Sequence, residues 1–367
     1  MNKKSFTNQI SYITIPCHWN ITVLKKIKKQ QDKCLDTKII EVYGAPISGL
    51  VGDGRNTTVT KRFSKSEAIK LRKKIRNLGF SFNYLMNAPI DVSKQDHKEL
   101  DKYLDWVINK YQADSITLSS LELMKYIRNK YPKIPIYVST IAGVRNIEDI
   151  KKYTDIKPQK IVLHHDAIRD FDNLPSFVSL MKKQGIIIEL MLTESCLRNC
   201  PKRENHYNTL SDNSSDRKFH KFCNNIKVLK PEEFLRANFI RPEDRKFYEN
   251  IGFNYFKITG RSKKASWLSE VTEAYLLREY NGNLIRLLGI DPLLNAEKYV
   301  YIHNPALKGF IENFPKNTNL ENTYCKKWAI KLMQNKEFNI INAKYSDNLK
   351  CIIKPKFLEI YEKGEHI

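Results

Sequence analysis

The chain has 367 residues, more than the roughly 100–200 of an ordinary domain, and its 41% hydrophobic and 28% charged residues exclude a disordered or collagen-like chain. No run of about 18 apolar residues occurs, so no membrane-spanning helix is expected, and the N-terminus lacks the apolar stretch of a secretory signal, which places the protein in the cytoplasm. The net charge of +23 would ordinarily announce a polyanionic partner, but Lys outnumbers Arg about three to one and is scattered, so it reads first as solvated surface and compositional bias and second as an RNA footprint.

Short β-branched runs recur along the chain: Ser11–Ile15, Ile39–Tyr43, Ser81–Met86, Asp114–Leu118, Ile136–Ser139, Lys160–Leu163, Ile186–Met191 and Tyr255–Ile258. Amphipathic segments separate them, among them SKSEAIKLRKKIRNLG, KELDKYLDWVINKYQ and LELMKYIRNKYP. Alternation of this kind makes parallel strands with right-handed crossovers, and eight of them predict an α/β fold, a (β/α)8 TIM-like barrel over residues 1–280. Two departures stand out. After the seventh strand, residues 192–250 form a Cys-, Asn- and Ser-rich insertion, and residues 281–367 read as a C-terminal α+β appendage.

Function in such a barrel sits at the C-terminal ends of the strands. Those positions hold Cys17 and His18, Tyr43, Asn87, Thr140, His164 and His165, Glu189, and the segment Lys257 to Arg261. Glycines near Arg55 and Thr57 suit an anion nest, or simply a mobile loop. His164 and His165 are candidate catalytic bases, although adjacent strand residues point to opposite faces. No dinucleotide fingerprint, P-loop, nucleophile elbow or zinc-protease helix motif is present.

Seven cysteines in a cytosolic chain argue for thiols or a metal centre instead of disulfides. Cys196 and Cys200, with Cys223 further on, lie in the insertion. Arg203 stands where a radical-SAM C-x3-C-x2-C motif needs its third cysteine, and structural zinc generally takes two close Cys pairs, of which one is present. An iron–sulfur cluster on dispersed thiolates and unliganded reactive thiols both stay open. A four-thiolate site needs one more ligand: Cys325, in the helical NTYCKKWAIKLM of the appendage, is the first choice and Cys17 the rival.

Several stretches together carry a family resemblance: VYGAP after the second strand, KIVLHHDAIRDF, IIIELMLTESCLRNC, and above all YFKITGRSKKASWLSEVTEAYLLREY. The chain resembles peptidase family U32, the collagenase-like proteins, as a divergent branch. That resemblance implies a [4Fe-4S] protein of the oxygen-independent hydroxylase type, with prephenate as hydroxyl donor, RNA or an anionic small molecule as substrate, and a second U32-family subunit as partner. It assigns Cys196, Cys200 and Cys223 to ligation, Glu189 to the family's strand acid, and Lys257 and Arg261 to its basic pair. An RNA-binding or assembly protein with a structural cluster is the alternative, and an atypical peptidase is a further one.

Overall fold

The computed structural model describes residues 10–55, 61–209, 217–289 and 296–358. Eight parallel strands close into a barrel: β1 (Ser11–Pro16), β2 (Thr37–Gly44), β3 (Ser81–Met86), β4 (Ser115–Leu118), β5 (Ile136–Val138), β6 (Lys160–Val162), β7 (Ile187–Met191) and β8 (Tyr255–Lys257). Each pairs with its neighbour in sequence, and β8 returns to β1 through Tyr12 with Tyr255, Ile13 with Phe256 and Thr14 with Lys257. All eight strands coincide with the expected runs to within one or two residues. Strand-to-strand agreement is good because each run is β-branched and bounded by turn residues, so periodicity and punctuation point the same way.

The crossover helices start on side-chain caps that the sequence supplies. Ser64 accepts from the Glu67 amide and Glu67 reaches back to Ser64, a full capping box for Lys65–Asn77, while Ser120 caps Leu121–Lys130. The expected single helix over 98–112 is helical only over His97–Asp105. It then widens into one π turn, Trp106–Lys110, closed by the Tyr111 N–H on the Trp106 carbonyl at 2.7 Å.

The barrel interior is polar, where most barrels of this kind pack branched aliphatics. Lys160, at the start of β6, donates to Glu41 Oε1 at 3.1 Å and to Glu189 Oε1 at 3.0 Å, and Thr14 donates to the same Glu189 oxygen at 2.6 Å. Beside them Thr117 donates to Asn83 and Asn83 donates to Ser115. Burial disfavours the Lys160 charge, but the two carboxylates outweigh it and hold its pKa above the ordinary lysine range. The apolar residues lie outside this column, between strands and helices, in a core that runs on into the C-terminal segment through Cys325, Leu332 and Phe338.

Residues 192–250 are more ordered than their composition suggests. They hold the helices Arg203–Thr209, Arg217–Leu229, Glu232–Arg236 and Arg245–Ile251, the last packed beside the barrel helix Leu174–Gln184. Beyond the barrel helix Ala265–Leu277, the C-terminal segment contributes antiparallel β9 (Val300–Ile302) with β10 (Phe338–Ile340), a second pair β11 (Lys344–Tyr345) with β12 (Cys351–Ile353), and the helix Thr318–Gln334. That helix packs on Glu232–Arg236. No helix among the described residues is long and apolar enough to cross a membrane.

Candidate active site at the barrel mouth

A cavity of about 200 Å3 opens at the C-terminal ends of the strands, roofed by the loop after β7 and the helix Arg217–Leu229. Cys196, Cys200 and Cys223 all line it. On the helix, His220, Cys223, Asn224 and Lys227 follow the i, i+3, i+4, i+7 spacing, so one stripe faces the cavity.

The thiol loop is held from three sides. Glu194 accepts from the amides of Ser195 and Cys196, both at 2.8 Å; the Asn199 amide donates to Asp166 at 3.1 Å; and Lys227 donates to the Ser195 carbonyl. Arg198 anchors the loop to the C-terminal segment, with both Nε and Nη2 at 2.7 Å from the Glu321 carboxylate and Nη1 on Asn238. The hydrogen bond to Glu321 runs through Nη2, and as a buried, charge-assisted contact it holds the loop firmly.

Charge around the thiols is predominantly positive. Arg203 donates to the Leu197 carbonyl at 2.8 Å and lies against Cys196. Burial pushes the Cys196 thiol up to about 11 against the pull of Arg203. Cys223 is hydrogen-bonded to Cys200; that bond, aided by the Lys202 amide and by Arg203, lowers the Cys200 pKa, and the same bond together with burial raises Cys223.

Tyr43, Arg55, Lys257 and Arg261 line the same cavity. Lys257 lies 4.1 Å over the Tyr43 ring and 3.9 Å from Glu189 Oε2, and burial lowers its pKa even though Glu189 opposes the shift. Arg261 follows Gly260, whose φ of +113° and approach to the Trp267 ring, 2.6 Å from where a Cβ would stand, admit only glycine. The turn sends Arg261 back onto Asp53, with Nη1 at 2.8 Å from its carboxylate and Nη2 at 2.7 Å from its carbonyl. Asp53 also takes Arg62 at 3.0 Å.

The expected site residues therefore fall into three groups. Cys196, Cys200, Cys223, Lys257 and Arg261 share the cavity. Glu189 sits one layer lower, in the polar column, and reaches the cavity only through Lys257. The other candidates lie elsewhere. Cys325 does not open its helix but sits in the middle of Thr318–Gln334, fully buried near Arg169 and Arg236 and not lining the cavity. Burial pushes its thiol up to about 12. Cys17 lines a separate cavity of about 360 Å3 with His18, Trp19 and Lys263, and burial likewise raises it to about 12.

His164 and His165 do not alternate on a strand, because β6 ends at Val162; His164 caps the short 3-10 turn His165–Ala167 and both rings are buried, 4.1 Å apart, behind the thiol loop. Burial lowers His164 to about 4. Of the proposed nest, Arg55 lines the cavity and Thr57 lies outside the described residues. Sequence reasoning missed Arg203, Lys227, Glu194 and Lys160. Only Lys160 left a usable trace, an inward lysine two positions before cavity-lining Val162.

A family model described as peptidase family U32 matches residues 53–170. The "Uncharacterized protease MJ1657" of Methanocaldococcus jannaschii is 28% identical over 326 residues, 86% of this chain and 93% of its own length. Among solved structures, the U32 peptidase Mk0906 is 14% identical with a TM-score of 0.46, covering 70% of this chain and 96% of its own. The N-acetylneuraminic acid synthetase of Leptospira borgpetersenii, in complex with citrate, is 10% identical with a TM-score of 0.38, covering 76% and 85%. The family match over residues 53–170 and the relative aligned along most of both chains bear out the resemblance read from the sequence: this chain is similar to peptidase family U32.

Proposed function

We propose that this chain is an iron–sulfur enzyme of the oxygen-independent hydroxylase type, acting on an anionic small molecule or on RNA. The observation that carries the reading is that Cys196, Cys200 and Cys223 line one cavity together with Lys257, Arg55 and Arg261. Three soft thiol ligands suit cluster iron, and Arg203 and Lys227 beside them offset thiolate charge. Neither Cys17 nor Cys325 lines this cavity, so the fit is to a cluster held by three cysteines, with its remaining position taken by a ligand other than these thiols.

When bound, the cluster would supply one-electron transfer. The protein's own groups do the rest. Among the described residues no carboxylate comes closer than 3.9 Å to the Lys257 ammonium, so a substrate carboxylate or phosphate becomes its nearest partner. A carboxylate hydroxyl donor such as prephenate matches that charge. Arg261, already paired with Asp53, serves to position the rim and supplies less attraction of its own. Thr117 and Thr140 line the same cavity with hydroxyls that can orient a ligand, and the thiol loop covers it from bulk water.

Anaerobic purification or reconstitution with iron and sulfide tests the reading. The full chain should take up about four irons with a broad visible absorption, and the Cys196→Ser, Cys200→Ser double variant should lose both. Iron content unchanged in that variant, or casein cleavage that survives iron removal, would overturn it in favour of a thiol protein or a peptidase.

A further inference from the structure

Behind the thiol loop, at the end of β6, lies a second group of ligand-type side chains. One ligand atom each from His164, His165 and Asp166 falls within 4.8 Å of the others, and all three residues are buried. Their hydrogen bonding is incomplete. Neither Nδ1 nor Nε2 of His165 has a partner, in a side chain only 1% exposed, and Asp166 Oδ2 has none either. A buried neutral imidazole has one N–H and one lone pair to satisfy, and leaving both unmade forfeits the hydration each had in water. Such a deficit in a native protein calls for an occupant.

The rest of the group is built as a support for one. Asp166 Oδ1 is engaged by the Asn199 amide at 3.1 Å and by Asn238 Nδ2 at 3.2 Å, which fixes the carboxylate and leaves Oδ2 without a hydrogen bond. His164 Nδ1 accepts from the Asp166 amide at 3.2 Å and lies 3.5 Å from Oδ2, so the ring is oriented against the carboxylate. The ring centroids of the two histidines are 4.1 Å apart, with 31° between their planes.

We propose that His164, His165 and Asp166 form a binding site for a single divalent transition ion of the zinc type, separate from the thiol cavity. Two imidazoles and a carboxylate are a nitrogen and oxygen donor set suited to zinc, cobalt or iron(II) and poorly suited to calcium or magnesium. Bond lengths of about 2.1 Å place tetrahedral ligand atoms about 3.4 Å apart, so closing from 4.8 Å takes side-chain shifts of about 1 Å.

Two cations oppose it: the buried Arg203, whose charge bears on both imidazoles, and Arg145, its guanidinium 3.8 Å from Asp166 Oδ2. Arg145 is 52% exposed, so an arriving ion displaces it into solvent at small cost. Through Asn199 and Asn238 the ion would brace the loop that carries Cys196 and Cys200, a structural role that needs no access from the cavity.

Cobalt(II) alone, added to metal-stripped full-length protein, is the probe. The Cys196→Ser, Cys200→Ser variant is the background, with the wild type as a second sample should that variant fold poorly. One ion per chain is expected, with visible ligand-field bands and no thiolate charge-transfer band. Asp166→Asn and His165→Gln, each checked for an unchanged far-ultraviolet spectrum, should weaken binding more than about tenfold. The absence of stoichiometric cobalt, which would leave only water in the site, overturns the proposal. So does affinity unchanged in both variants, or a charge-transfer band that disappears with the cysteines. Because the readout is independent of the thiol cluster, failure here leaves the proposed function standing, and the reverse also holds.

Discussion

Two layers of the same barrel treat charge in opposite ways. In the lower layer Lys160 is pinned between Glu41 and Glu189 at hydrogen-bonding distance, and every member is at most 5% exposed. In the upper layer the carboxylate nearest Lys257 among the described residues is Glu189, at 3.9 Å, and Arg203 and Lys227 lean on thiols and backbone carbonyls. A paired, desolvated charge serves the fold, because its partners have already replaced water; a desolvated cation without a close anion holds unspent attraction that a ligand can use. The difference separates the residues that keep the barrel closed from those that give it something to bind.

The sharpest way to break this contrast is Lys160→Met. It leaves Glu41 and Glu189 facing each other without a counter-charge, and removing one partner of a buried ion pair costs about 3–5 kcal/mol. Urea denaturation should show that loss at neutral pH, and adding Glu41→Gln and Glu189→Gln should recover much of it by removing the stranded charges. A loss below about 1 kcal/mol would mean that the lower layer is not the structural one.

A smaller effect distinguishes the rim by pH. His18 sits where Nε2 meets the Gly260 carbonyl at 3.0 Å, and burial lowers its pKa to about 4 although hydrogen bonds to the Gly260 and Lys264 carbonyls pull the other way. An unfolded histidine titrates near about 6.5, so below that value the unfolded chain binds the proton more readily than the folded one. This contribution to stability is therefore complete above about pH 6.5 and is lost progressively as pH falls towards about 4, at about 1.4 kcal/mol per unit. His18→Gln should flatten the fall between pH 7.5 and 5.5 by about 1 kcal/mol in denaturant titrations. An unchanged slope would show that the ring is solvated in solution.

The barrel was readable from the sequence because its signal is local: each of the eight strands announces itself by a β-branched run, and the Gly260 turn by its motif. The three cavity thiols were readable for a related reason, since they crowd one segment. What stayed hidden depends on pairs distant in sequence. Arg198 meets Glu321 across 123 positions, and Glu41 meets Lys160 across 119, with no periodicity linking them. Cys325 shows the converse error, since the need for a fourth thiol and an aromatic helix nearby placed it at the mouth, whereas the packing of Thr318–Gln334 on Glu232–Arg236 turns it into the core. The helices of residues 192–250 escaped because a Cys-, Asn- and Ser-rich composition masks helical period even where one face is in register with a cavity.

Lys257→Met is the mildest substitution for the fold and the most telling for the comparison. Methionine fills the space of the lysine stem over Tyr43, and the charge removed had no carboxylate within hydrogen-bonding reach. Stability should therefore fall by about 1 kcal/mol or less, since Glu189 keeps both Lys160 and Thr14 as partners. Anion affinity should fall by about tenfold or more, the worth of one charge-assisted hydrogen bond. Fluorescence titration with a small dicarboxylate, run beside urea denaturation of the same sample, reads both quantities. If Lys257→Met cost as much stability as Lys160→Met, the upper lysine would belong to the structural column, and the cavity would have to draw its anion through Arg55 instead.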